Sequence, residues 1–257
     1  MNVMQKVKFP KWNAGLQIKK FLDRTYYLVR TSSDPAVIGV NNGIQQVEIH
    51  RSGFENKSMY DDIMKYWGSF NSWEHRNDYH GVNVELQCVN PLVGAKITSF
   101  LSYGPKLLQC PFLISQSVKD TFKKFLLPDV YFYKASVVTN EEKLNYYLFS
   151  CPDFGYSIVD FNKSIFFTGN ELLGKKYVKL NDYSEFVEYG KAARCIVEME
   201  KVVLSSKFNA DLDLFVIEAG LLFISEALRN EIIDKKLDGL NILPAFGDSL
   251  KWPTICE

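Results

Sequence analysis

The chain has 257 residues, enough for one large domain or two small ones, and 47% of them are apolar, enough for a substantial core. Formal charge is balanced: residues 1–130 carry 16 basic and 11 acidic side chains, the remainder 14 and 19. That mild asymmetry argues against a protein that coats nucleic acid, and the longest apolar run, Ala219 to Ile224, is far too short to cross a bilayer.

Residues 1–20 are polar and basic, and no apolar stretch follows them that could form a signal-peptide core. Tyr26 to Arg30 and Gln45 to His50 read as strands, separated by turn signals at Asp34-Pro35 and Asn41-Asn42-Gly43. Residues 60–80 interleave charges with Tyr60, Tyr66, Trp67, Phe70, Trp73 and Tyr79, which read either as the core of an irregular lobe or, since Tyr and Trp favour protein interfaces, as a contact surface. Val82 to Val89 alternates like a strand. Gly104-Pro105 is the expected boundary between an N-terminal β-rich lobe, 1–104, and an α+β domain, 105–257, unless the two form one continuous domain.

From residue 113 the chain builds a unit that it repeats 110 residues later. Leu113-Ile114-Ser115 and Phe223-Ile224-Ser225 are apolar runs that end at a serine suited to cap a helix. Val118, Phe122 and Phe125 then fall on one helical face, as do Leu228 and Ile232. Ile114, Ser115, Leu127 and Ala135 recur as Ile224, Ser225, Leu237 and Ala245. Gly239 suits a left-handed helix end, where the first copy has Asp129 after Pro128. Leu240, Ile242 and Pro244 read as the strand that follows. The spacing predicts two equivalent helix-plus-strand modules, about 112–134 and 222–244. Between them, Tyr146 to Phe149, Ser157 to Phe161, Ile165 to Thr168, Ala193 to Met199 and Val202 to Leu204 read as strands, and Asp213 to Ile217 leads into the second module. Strands outnumber helices, which predicts an α+β fold with a mixed sheet.

Signatures of chemistry are sparse. There is no phosphate-binding loop, dinucleotide fingerprint, zinc-protease helix or nucleophile elbow. His75 and His80 are five residues apart and do not share a helical face, so no metal site is expected. Asp211 and Asp213 read as turn acids. Cys88, Cys110, Cys151, Cys195 and Cys256 form no C-x-x-C pair and fit reduced thiols in a cytosolic protein. No catalytic residue, cofactor or metal is expected.

The order of short motifs carries a further signal. Tyr146-Tyr147-Leu148-Phe149, Val159-Asp160-Phe161-Asn162-Lys163-Ser164, Asp213-Leu214-Phe215, Phe223-Ile224-Ser225-Glu226 and Gly239-Leu240 follow one another. This series resembles a bacterial immunity-protein family of polymorphic toxin systems, the group typified by a myxobacterial immunity protein. The resemblance spans about residues 105–246, on Ser115, Asp160, Ser164, Leu214, Phe215, Ser225, Glu226, Gly239 and Leu240. It implies a cytoplasmic protein that binds a cognate toxin domain and neutralises it, with no nucleic-acid or membrane partner. An enzyme with an unrecognised site, such as a hydrolase reversing a toxin's modification, and a structural subunit of a secretion-related assembly are the alternatives. If partner choice resides outside the family-like region, Tyr66, Trp67, Phe70, Trp73 and Tyr79 are the expected contact residues, while Asp160 and Ser164 suit a turn that orders a strand exit.

Overall fold

In the computed structural model, residues 26–43, 45–68, 84–107, 109–170, 174–217, 221–245 and 249–251 are described, and the chain divides into two compact units. The larger holds 26–157 and 212–245; the smaller holds 158–211 and the strand at 249–251. The division does not coincide with the boundary expected at Gly104-Pro105, because strands from both sides of that point share one sheet.

The larger unit starts with β1 (Tyr26–Thr31), the short helix α1 (Pro35–Ile38), β2 (Val47–Ile49) and α2 (Lys57–Trp67). Strands β3 (Leu86–Pro91), β4 (Phe100–Leu101), β5 (Tyr103–Gly104) and β6 (Phe112–Ser115) follow, then α3 (Gln116–Phe122), β7 (Tyr131–Val138) and β8 (Lys143–Ser150). After the smaller unit the chain returns with β12 (Leu214–Ile217), β13 (Leu221–Ser225), α5 (Glu226–Asp234) and β14 (Leu240–Ala245). These strands form a seven-stranded sheet, β4-β6-β8-β7-β3-β2-β5, and a four-stranded sheet, β12-β13-β1-β14. Pairing is mostly antiparallel, with parallel exceptions at β3 with β7 and β2 with β5, so the fold is α+β with a mixed sheet, mostly β.

The two predicted modules are equivalent, and each is larger than the sequence repeat. In the first, β6 and β7 both pair antiparallel with β8, which lies between them, and α3 connects them. In the second, β13 and β14 both pair antiparallel with β1, and α5 connects them. Each is a split β-α-β unit with an antiparallel strand inserted. An outer strand completes each one, β4 beside β6 and β12 beside β13. Registers agree as well: Ser115 and Ala135 both face Tyr146, while Ser225 and Ala245 both face Tyr26.

The pleat sends alternate residues of the large sheet to different cores. Phe112, Ile114 and Phe149 join Val118 and Phe122 of α3 in a cluster that also contains Val29, Leu222, Ile224, Leu228 and Ile232 of the second module. Leu113, Leu148, Tyr133 and Ala135 point the other way, toward Ile63 and Trp67 of α2. Both serines cap as expected, with Val118 N donating to Ser115 Oγ at 3.4 Å and Leu228 N to Ser225 Oγ at 3.2 Å. Gly239 does adopt a left-handed conformation, φ 97°, but not at a helix end: α5 stops at Asp234 and Lys236, φ 53°, makes the reversal. Gly239 instead immediately precedes β14, where an added Cβ would lie 2.1 Å from the Phe100 carbonyl oxygen.

The smaller unit is the antiparallel sheet β10-β9-β11-β15, from β9 (Ile165–Asn170), β10 (Gly174–Val178), β11 (Val197–Val203) and β15 (Ser249–Lys251), with helix α4 (Tyr183–Ala193). Phe161, Phe166 and Phe186 form its aromatic cluster. The strand expected at Ser157 to Phe161 is instead a 3-10 turn over Gly155–Ile158 and an isolated bridge from Val159 to Leu204. The stretch expected as a strand from Ala193 begins with the last residue of α4, and its strand starts at Val197.

Candidate interaction surface

Of the five residues expected to contact a partner, two, Tyr66 and Trp67, are among the described residues. Trp67 is 1% exposed, tilted against Tyr133 at 5.1 Å, in the core beneath α2. Met59, Tyr60, Ile63, Met64, Tyr66 and Trp67 lie on successive helical turns, and α2 buries this stripe against the sheet. Trp67 is therefore a packing residue and is withdrawn as a contact residue. Tyr66 is half-buried at the margin of the same core, with the Lys65 ammonium 5.6 Å from its ring centre. Phe70, Trp73 and Tyr79 lie outside the described residues.

The motif residues form joints of the scaffold. Ser164 Oγ donates to the Asp160 carbonyl at 2.7 Å and accepts from Val203 N at 3.0 Å, and Asp160 N donates to Val203 O at 2.7 Å. The Asp160–Ser164 turn is thereby fastened to β11. Asp160 also meets the Lys163 ammonium at 3.0 Å. Ser225 Oγ donates to Asp213 Oδ1 at 2.6 Å, and Asp213 Oδ2 accepts from Leu126 N at 2.9 Å. Asp213 is thus a bracket between the second module and the loop after α3. Its neighbour Asp211 donates its N–H to Asn209 Oδ1 in a turn, as the sequence predicts. Leu214 and Phe215 are buried in β12, with Phe215 stacked on Phe223 and edge-on to Tyr26. Glu226 is exposed in the first turn of α5, where its charge suits the positive helix end. Leu240 packs at the edge of the shared core.

Superposing the modules by register exposes a correspondence that a fixed offset of 110 misses. The inserted strands carry the same tripeptide, Tyr26-Tyr27-Leu28 in β1 and Tyr146-Tyr147-Leu148 in β8. The first tyrosine of each is buried and donates its hydroxyl to a carbonyl two residues before the outer strand: Tyr146 to Thr98 O at 2.8 Å, Tyr26 to Leu212 O at 3.3 Å. The second tyrosine of each is half-buried and lies under a cation from the helix. Lys119 Nζ sits 3.5 Å from the Tyr147 ring centre, and the Arg229 guanidinium 4.7 Å from that of Tyr27. Lys119 and Arg229 are equivalent at the 110-residue offset.

Around these two aromatic–cation pairs the modules diverge. The first carries Gln116, Lys119, Asp120, Lys123 and Lys134; the corresponding positions of the second are Glu226, Arg229, Asn230, Ile233 and Pro244. Packing fixes the shared positions, whereas Gln116, Asp120, Lys123, Lys134, Glu226, Asn230 and Ile233 are exposed and free to differ.

Among the described residues no group of three or more His, Cys, Asp or Glu is placed to hold a metal ion. His50 lies 2.8 Å from Glu48, and His75 and His80 are outside the described residues. Cys110 and Cys151 are fully buried; burial pushes the Cys110 thiol up to about 12 and raises that of Cys151 well above its ordinary value. No described helix is long and apolar enough to cross a membrane. No protein-family profile and no curated protein matches the chain.

Proposed function

We propose that the chain is an immunity protein that binds a cognate bacterial toxin or effector domain in the cytoplasm and neutralises it by direct contact. The observation that supports this reading is the placement of the family-like series of motifs. Ser115, Asp160, Ser164, Ser225 and Gly239 fall at caps, turns and strand starts, where residue type is dictated by the backbone. A shared pattern confined to such joints specifies a scaffold and leaves the outward surface free to vary with the partner, which suits a set of binders that each meet a different toxin.

The test is co-expression with the product of the adjacent gene. Cells producing that protein alone should stop growing, cells producing both should grow, and the two chains should co-elute. Protection should saturate at one chain per toxin molecule. Growth arrest in the presence of this chain, with no complex formed, overturns the reading. Protection at far fewer chains than toxin molecules would indicate turnover and favour an enzyme that reverses the toxin's modification.

A further inference from the structure

We infer that the outward face of the first module, built by Lys119 of α3, Lys123 at the C-terminal cap of α3 and Lys134 of β7 around Tyr147, is a docking surface for an acidic segment of a protein partner. This inference rests on the proposed binding function and names the chemistry of the partner's contact.

Four observations carry it. First, the three lysines converge. Lys134 is the cross-strand partner of Tyr147, and Lys119 stands over the same ring, one helical turn before Lys123. Lys119 feels both neighbours: partial burial lowers its pKa most, Lys123 lowers it further, Asp120 opposes the shift and Lys134 adds to it. Second, the positive charge is not tied up in ion pairs. Among the described residues none of the three lysines forms an ion pair with an Asp or Glu, in contrast to Lys124 and Lys235, which both reach Glu231. Asp120 accepts from Gln116 Nε2 at 2.8 Å, and Gln116 Oε1 accepts from the Tyr147 hydroxyl at 2.5 Å. Glu85 precedes Leu86, which pairs with Ala135, and makes no ion pair with Lys134. Like charges held together on a surface cost energy unless a partner of opposite sign meets them.

Third, the duplication supplies an internal control. The second module keeps the aromatic–cation pair, Arg229 over Tyr27, but has Ile233 and Pro244 where the first has Lys123 and Lys134. The scaffold therefore does not need the two extra charges. Fourth, the geometry favours carboxylates over nucleic acid. Lys119 covers the Tyr147 ring face at 3.5 Å, so that ring offers no platform on which a base could stack. The cluster is also small, and the whole chain is neutral, unlike a strand-binding groove.

The experiment compares the full chain with K123E/K134E, and with K176E/K191E in the smaller unit, which alters charge equally at other exposed lysines. Association with the adjacent-gene product is measured against salt. For the wild type, association should be fast at low salt and should slow as salt rises; K123E/K134E should associate about tenfold or more slowly at low salt, while K176E/K191E matches the wild type. Equal rates for all three, with unchanged melting, overturn the inference. If the wild type forms no complex with that protein, the proposed function fails on that arm, and the patch is tested separately with a short poly-glutamate peptide and a single-stranded oligonucleotide. Peptide binding that K123E/K134E abolishes supports the patch. No peptide binding, equal binding by the variant, or tighter binding of the oligonucleotide than of the peptide overturns it.

Discussion

Replacing Ser115 and Ser225 by alanine should separate two serines that play the same local part. Each caps a helix, and losing a cap costs about 0.5–2 kcal/mol. The Ser115 bond is long, 3.4 Å, beyond the usual range for N–H to O, and the residue is half-buried, so Ser115→Ala should fall at the low end, about 0.5–1 kcal/mol. Ser225 is 1% exposed, caps at 3.2 Å, and donates to the Asp213 carboxylate at 2.6 Å, the length of a charge-assisted bond. Such a bond adds about 1.5–3 kcal/mol, so Ser225→Ala should cost roughly 2–4 kcal/mol in all. Asp213 keeps its bond from Leu126 N, which stops the total from rising further. Urea unfolding followed by circular dichroism, with midpoint shifts multiplied by a common slope, measures both variants in the same transition. Asp213→Ala, alone and combined with Ser225→Ala, should show a coupling of about 1 kcal/mol or more. Equal costs for the two serine variants, or independent effects at 213 and 225, would refute the account of this joint.

Two further outcomes follow from burial. Trp67→Ala should lose about 3–5 kcal/mol and lower the melting temperature, because the ring is 1% exposed between α2 and the sheet; a variant that melts like wild type would contradict its placement in the core. Stability should also decline in alkali: with the Cys110 pKa raised from 9.0 to about 12, the folded state holds a proton that the unfolded state releases above about pH 9, so the stabilisation is complete below pH 9 and is lost as pH rises toward 12, at up to about 1.4 kcal/mol per pH unit. Cys151 and Tyr103 are raised in the same direction, so Cys110→Ala should flatten the alkaline slope in part, and identical slopes in urea midpoints between about pH 8 and 11 would exclude the mechanism.

The architecture was legible in the sequence wherever one position had to satisfy one backbone demand. A serine after an apolar run, with apolar residues three and seven positions on, fixes a strand-to-helix joint, and it did so twice. The inserted strands escaped notice because their order in the chain differs: β8 follows its module, whereas β1 precedes its own by most of the chain. The identical Tyr-Tyr-Leu triplets were the available signal. Helix α4 was missed because it buries no residue fully, so its apolar periodicity is weak, yet Asp182 capping Glu185 N was readable as a start. Composition left the aromatic segment open between core and interface, and of its rings Trp67 is placed in the core. Richness in Tyr and Trp does not distinguish an interface from a core, whereas Met59, Ile63 and Trp67 four apart point inward. The lysine cluster could not be found from sequence, since Lys119, Lys123 and Lys134 meet only once β7 is laid beside β8 and α3 folds over them.

The placement of β1 imposes an order on assembly during synthesis. The first module closes over one contiguous stretch, from Thr98 to Ser150, and can form as soon as that stretch has left the ribosome. The second cannot. Its central strand is made before the first module, but both strands that flank it, β13 and β14, are made after the smaller unit's helix, with Tyr26 waiting for Ser225 and Ala245. Until then Tyr26, Leu28 and Val29 present an apolar strand with two open edges, the kind of segment that pairs with the wrong neighbour. A nascent chain of this design gains from whatever shields β1 while the rest is translated, and a stop codon just ahead of β14 leaves β1 half-paired and also takes β15 from the sheet of the smaller unit.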